Sequence, residues 1–210
     1  MLLEIFIKSF KKIVSSLFGR LLMIKSKSNF YTHFVFRNIK LLLSGRLKYD
    51  SKTLKINQPI FLIGPGTFLL GRNCTFGYKL GGFHYKGSIE IQSRYNNASI
   101  EIGDNVATNN NVFICAANCI EIGDNTLIGQ NVTITDFEAH GIHPNERRRV
   151  GEIGKVIIGR NVWLGSNVTI LKNSSIGDNT IVASGAVVSG VFPSNVIIGG
   201  VPAKIIKAIT

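Results

Sequence analysis

The stretch "ITDFEAHGIHPNERRRVGEIGKVIIG", residues 134 to 159, gathers residue types suited to moving a proton. His140 and His143 stand among Asp136, Glu138 and Glu146, beside the run Arg147, Arg148 and Arg149. An imidazole titrates near neutrality, so it can take a proton from a hydroxyl group and hand it on within one turnover. A carboxylate on the other ring nitrogen would fix the tautomer and stabilise the imidazolium that forms. Asp136 and Glu138 are the nearest carboxylates along the chain. Residue types alone leave a second reading open, a basic polar loop whose histidines are simply solvated. His33 and His84 have no comparable surroundings and read as structural or exposed.

The elements that must hold this stretch are announced by a repeat on both sides of it. From Ile158 onward an aliphatic residue takes every sixth position: Ile158, Leu164, Ile170, Ile176, Val182 and Val188. Small residues such as Gly159, Gly165, Gly177 and Ala183 follow most of them. The column runs earlier through Ile102, Ile114, Ile122, Ile128 and Ile134, and a ragged version begins near Phe61. A period of six does not suit an α-helix. Corners spelled "IGDN", "IGRN" and "IGQN" favour turns and tolerate a left-handed backbone. Short strands joined by tight turns satisfy both facts. Three six-residue rungs make one triangular coil, and coils stack at about 4.8 Å with the aliphatics pointing inward. Between the rung at Ile134 and the restart near Val156, the chain lies outside the coil. Loops of that length in compact domains are commonly functional.

A chain of 210 residues can bury a substantial core. Its formal net charge of +12 favours anionic partners such as phosphates or acidic lipid head groups. Three cysteines, Cys74, Cys115 and Cys119, form no disulfide framework and point to a reducing compartment. Cys115 and Cys119 lack a second ligand pair, so they read as buried thiols and no metal is expected. The apolar N-terminus is interrupted by Glu4, Lys8, Lys11, Lys12 and Arg20 and does not read as a membrane span. Leu3, Phe6, Phe10, Ile13, Leu17 and Leu21 have the spacing of an amphipathic helix with a basic polar face. Residues 1–25 could pack on the protein, on a sister subunit, or on an anionic membrane surface. "FYTHFVFRNIKLLLSG" reads as a second helix ended by Gly45.

"IGRNVWLGSNVTILKNSSIGDNTIVASGAVVSG" followed by "GGVPAKIIK" resembles the hexapeptide-repeat acyltransferases, over roughly residues 58 to 207. The chain is most similar to the galactoside and maltose O-acetyltransferases and to the O-acetyltransferases of capsule and O-antigen synthesis. The resemblance implies an all-β fold, a left-handed parallel β-helix. It also implies a homotrimer with active sites in the clefts between chains, and acetyl-CoA as acyl donor. Residues 1–57 lie outside it and form a basic helical region. Residues 58–210 form the β-helix, with a catalytic loop extruded at about residues 136–155. The basic N-terminus is closer to the polysaccharide-modifying relatives. The implied acceptor is a sugar hydroxyl of a cell-surface polysaccharide or its precursor, at the cytoplasmic face of the membrane.

The resemblance also assigns roles. His140 becomes the general base and Asp136, four residues before it, the group that orients it. His143 and Arg147 lie in the matching "HPNERR" and join Asn109 as acceptor ligands. The "LGS" corner, Gly165 and Ser166, supplies the oxyanion amide. Trp163 lies along the pantetheine arm, Ser184 and Gly185 give close approach at a corner, and Lys204 and Lys207 face the phosphates. One position departs from the pattern: Ala117 stands where the family carries an acidic acceptor ligand. Three other readings compete. A zinc enzyme on the same coil would need a third histidine in the repeat. An N-acetyltransferase would act on a nucleotide-linked amino sugar. A scaffold or nucleic-acid binder would exploit the basic charge without catalysis.

Overall fold

In the computed structural model, residues 28–209 are described; the expectation for residues 1–25 lies outside them. From Leu47 onward the chain winds through short strands that fall into three sheets, the faces of a triangular column. Face A has seven strands, face B eight and face C six. Successive coils pair in parallel and in register, so each inward aliphatic stacks on its counterpart in the next coil. On face A the ladder runs Leu70, Ile102, Ile122, Ile158, Ile176 and Phe192. On face C it runs Leu62, Ile91, Ile114, Ile134, Ile170 and Val188. The six-residue column of the sequence is therefore the core, visiting one face per rung.

The corners explain the asparagines. Asn105, Asn125, Asn161 and Asn179 hold φ between 57° and 59° or, at Asn161, 55°. Asparagine tolerates this left-handed region better than other side-chain-bearing residues. Their amides also bond along the column, as from Asn161 Nδ2 to Asn179 Oδ1 at 2.9 Å. Aspartates cap the turns of the preceding coil: Asp104 accepts from the Arg72 amide, Asp124 from Asp104, and Asp178 from Arg160. Asn161→Ala and Asn161→Gly both lose the amide ladder, but only glycine accepts φ of 55° freely. The alanine variant is expected to be less stable than the glycine variant by about 1–2 kcal/mol in equilibrium denaturation.

Two excursions interrupt the stack. Bonded corner asparagines lie 18 residues apart at Asn161 and Asn179 but 36 apart at Asn131 and Asn167. They lie 32 apart at Asn73 and Asn105. The longer gap contains the histidine-rich stretch. The other contains residues 77–88, between strands Thr75–Phe76 and Ile89–Ser93.

Both ends of the column are closed. The expected second helix is present in two pieces, a π-helical turn Tyr31–Val35 and an α-helix Ile39–Leu43, and Gly45 ends it at φ of 72°. The break falls at Asn38, a buried residue. Its amide donates to Phe34 O and to Ile60 O and accepts from the Leu62 amide. The free edge of strand Ile60–Ile63 thereby finds partners it would otherwise lack. Phe34, fully buried, covers the core beneath. At the far end strand Ala203–Ala208 folds back antiparallel on Val196–Gly200. The expected boundary between residues 57 and 58 falls inside the first coil. Strands Leu47–Lys48 and Lys55–Ile56 already pair with Phe68–Leu69 and Thr75–Phe76. Their two-residue rungs, separated by "YDSKTL", carry no six-residue signature.

Candidate active site

The excursion after strand Thr133–Thr135 has a firm stem. Its two arms run antiparallel. Glu138 N donates to Glu152 O at 2.9 Å, Gly151 N to Glu138 O at 3.0 Å, and Gly141 N to Arg149 O at 2.9 Å. Phe137 and Ile153 pair across the base. Lys172, on a later coil, bridges Glu138 of the outgoing arm and Glu152 of the returning one. The tip is thus presented on a two-armed bracket, not on a slack loop.

His140 sits on the outgoing arm just before the Gly141–Arg149 bond, exposed, with Nδ1 2.7 Å from the main-chain carbonyl of Arg147. A carbonyl can only accept, so Nδ1 carries the hydrogen and Nε2 carries the free lone pair. The ring is oriented as a base.

The expected partner, Asp136, does not orient it. Asp136 is completely buried, and its carboxylate accepts three amides: Ala117 at 2.6 Å, Asn118 at 2.9 Å and Cys119 at 2.7 Å. It caps a turn of the preceding coil, as Asp104, Asp124 and Asp178 do at another corner. Burial pushes its pKa above the ordinary carboxylate value, against the downward pull of the three amides. Glu138, the other candidate, is engaged with Lys172.

His143 begins the short 3-10 turn Pro144–Glu146, its Nδ1 accepting a long 3.4 Å bond from the Asn145 amide. This is the opposite tautomer to that of His140. With Glu138, Glu146 and Arg149 it lines a cavity of about 510 Å³ on the excursion itself. Arg147 enters through its carbonyl, while its residue is exposed.

The remaining candidates lie elsewhere on the chain, along face B and the corner between faces B and C. Asn109 and Trp163 share a groove of about 240 Å³ with Tyr78, Ala107 and Leu127. Leu127, Trp163 and Ile181 stack in register up this face. They form an apolar track of the kind a pantetheine arm could follow. Asn109 Oδ1 accepts from the Asn110 amide, leaving its Nδ2 as a donor.

At the corner, Gly165 N donates to Val182 O at 2.8 Å, so this amide is committed to the coil and cannot serve an oxyanion. Among the described residues no acceptor faces the Ser166 amide, while Ser166 O accepts from Gly185 N. A Cβ on Gly165 would lie 2.6 Å from Ser184 N, so glycine lets these corners stack. Ser184 and Gly185 are exposed beside Ser166. Lys204 and Lys207 are exposed on the strand that ends face B. Ser166→Ala keeps the amide. It is expected to escape the roughly 10²–10³-fold loss in kcat that follows removal of an oxyanion donor, as steady-state kinetics would show.

Residue reading did not find the Arg147 carbonyl, which no side-chain pattern announces, nor the second excursion, residues 77–88. The gap in the aliphatic column after Phe76 is the signal for the latter. Ala117, where the resemblance expects an acidic acceptor ligand, is buried in a small cluster with Cys115 and Phe137. Burial pushes the thiols of Cys74 and Cys115 up to about 11, which leaves little thiolate near neutral pH. No cluster of three or more metal-ligating side chains occurs among the described residues.

The family model "Bacterial transferase hexapeptide (six repeats)" matches residues 155–190. The putative lipopolysaccharide biosynthesis O-acetyl transferase WbbJ of Escherichia coli K12 is 36% identical over 162 residues, covering 72% of this chain and 77% of the relative. The chain belongs to the hexapeptide-repeat acyltransferases. Galactoside O-acetyltransferase of the same organism is 40% identical over 114 residues, which spans 53% of this chain and about half, 55%, of that relative. Among solved structures, a galactoside acetyltransferase in complex with coenzyme A superposes with a TM-score of 0.50 at 24% identity, covering 92% of this chain and 80% of that one. The N-acyltransferase AntD of Bacillus cereus superposes at 0.59 with 18% identity, covering 81% and 88%. At these identities the superpositions establish the family fold, the left-handed parallel β-helix, for this column.

Proposed function

We propose that this chain transfers an acetyl group from acetyl-CoA to a hydroxyl of a sugar that belongs to a cell-surface polysaccharide or its precursor. The observation that carries the reading is the tautomer of His140. Its Nδ1 is held by the Arg147 carbonyl, and its Nε2 has no partner among the described residues, on the arm of a braced loop.

In the reaction, Nε2 takes the proton of the acceptor hydroxyl as that oxygen attacks the thioester carbonyl. The oxyanion of the tetrahedral intermediate is met by the Ser166 amide. Collapse breaks the C–S bond, and the imidazolium returns the proton to the departing thiolate, giving ester and free CoA. No acyl-enzyme is needed, in keeping with the protonated state of the buried cysteines. Trp163, Ser184 and Gly185 line the path of the pantetheine arm, and Lys204 and Lys207 provide charge for the phosphates. Asn109 offers Nδ2 to the acceptor, with His143 and Arg147 at its other side.

His140 and the face-B groove occupy different corners of one chain. A homotrimer that lays the loop of one chain against the groove of its neighbour joins them. This division of the machinery supports the trimer the family resemblance implies. No described helix is long and apolar enough to cross a membrane. The basic amphipathic pattern of residues 1–25 supports a peripheral position at the inner face of the cytoplasmic membrane.

The test supplies acetyl-CoA with free, nucleotide-linked and polymeric sugars, and follows free thiol together with product mass. An alkali-labile ester is expected. An alkali-stable amide would move the reaction to amino sugars, and failure to release thiol with any acceptor would defeat the reading.

A further inference from the structure

Residues 77–88, "GYKLGGFHYKGS", supply none of the site residues assigned by the family resemblance, yet they are built with care. The segment leaves the second coil at the corner between faces B and C, the corner that carries Asn109 and Ser166. Two buried amide side chains hold its backbone. Asn110 Oδ1 accepts from Tyr78 N, and its Nδ2 donates to Tyr78 O at 2.8 Å and Gly82 O at 2.9 Å. Gln58 Nε2 donates to Phe83 O at 2.8 Å. Both Asn110 and Gln58 are fully buried. Such satisfied buried amides rigidify what they hold.

The held segment climbs the corner. Gly81 packs so closely on the third coil that a Cβ would lie 2.3 Å from Asn109 Oδ1. A Cβ on Gly82 would lie 2.8 Å from Gln130 Oε1 of the fourth coil. Ser166 occupies the same corner of the fifth. The segment therefore ends one rung short of the candidate oxyanion donor, and Tyr78 from its root lines the groove with Asn109 and Trp163.

What it exposes is unusual for a held loop. Tyr85 is 94% exposed and Leu80 85%, with Tyr78 and Phe83 about half exposed. Lys79 and Lys86 stand between them, and the segment has no carboxylate. Outward aromatic rings on a held backbone suit the C–H faces of a pyranose ring, and lysines without a carboxylate partner among the described residues suit an anionic substituent on it.

We propose that residues 77–88 are the acceptor-binding wall of the transfer site, and that the acceptor is a sugar carrying a negative charge. The proposal rests on the transfer reaction set out above and names its substrate class. The charge could be the carboxylate of an acidic glycan unit or the phosphate of an activated precursor.

Binding of six probes to the intact protein distinguishes these: glucose and galactose, their uronic acids, and their 1-phosphates, followed by saturation-transfer NMR and titration. At least one charged probe is expected to bind about tenfold more tightly than its neutral parent, a preference that Lys79→Gln with Lys86→Gln removes. Uronate preference assigns an acidic glycan, and 1-phosphate preference a phosphate-linked precursor. Tyr85→Ala is expected to weaken the charged and neutral probes alike by about fivefold, with the Kd for acetyl-CoA unchanged. Equal binding of charged and neutral probes, no binding of any probe, or dissociation of the oligomer on Tyr85→Ala would overturn the proposal. The last result would make the loop a subunit contact. Acetyl-CoA titrated into the same samples separates the two levels. If acetyl-CoA binds and no probe does, this proposal alone fails; if acetyl-CoA does not bind, the transfer reaction fails with it.

Discussion

His140→Ala is expected to lower kcat by about 10²–10⁴, the usual contribution of a positioned general base, without loss of fold or of acetyl-CoA affinity. The reason lies in the bracket. The arms of the excursion are joined by main-chain bonds among Glu138, Gly141, Arg149, Gly151 and Glu152 and by the Lys172 bridge, none of which uses the imidazole. Alanine therefore removes the proton acceptor and leaves its support. The Arg147 carbonyl loses a partner, but that site is exposed and water can replace the ring. Steady-state kinetics with circular dichroism and acetyl-CoA titration would test this. A rate within a few-fold of wild type would remove His140 from the chemistry, and a collapse of structure would show that the ring is part of the brace.

The second large effect is expected at Asp136, on stability. Asp136→Ala leaves the amides of Ala117, Asn118 and Cys119 without their acceptor, in a turn where Ala117 is buried and Asn118 exposed. The buried Ala117 amide costs about 1–3 kcal/mol when orphaned, and the two more exposed amides less. Water reaching the more exposed amides offsets part of this, for a net loss of about 2–4 kcal/mol. Asp136→Asn keeps one acceptor oxygen and should lie between wild type and alanine. Chemical denaturation ranks the three proteins. The activity readout separates a brace from an orienting carboxylate. In a brace, the folded asparagine variant retains the wild-type pH–rate profile, because the Arg147 carbonyl still holds Nδ1 of His140. If Asp136 oriented the base, the profile would shift in a protein of unchanged stability.

The reach of the sequence can be traced residue by residue. The column Ile158, Leu164, Ile170, Ile176, Val182 and Val188 was legible because a core ladder needs the same kind of side chain at every rung, and the corners need asparagine or glycine for their backbone. The position of the excursion was legible for the same reason, as a gap in a strict period. The orientation of His140 was not, because a main-chain carbonyl is common to all residues and Arg147 gives no sign of offering its own. Asp136 takes the orienting role from the family resemblance, whereas its carboxylate is occupied by three main-chain amides. The parallel with Asp104, Asp124 and Asp178, each capping a turn of the coil before, was available in the recurring corner motif and pointed the other way. The first coil was missed because its two-residue rungs gain their register from Phe68 and Phe76 in the next coil, not from a pattern of their own.

The proposed site is shared by two chains, the loop of one and the groove of its neighbour. Subunit complementation tests it directly. His140→Ala disables the loop, and Ala107→Trp fills the groove; each variant alone should be inactive. Mixed in equal amounts and reassembled at random, they should recover about a quarter of wild-type activity, the share of interfaces that pair an intact loop with an intact groove in a cyclic oligomer. No recovery above the separate variants would mean that each groove is served by the loop of its own chain, and would contradict the account.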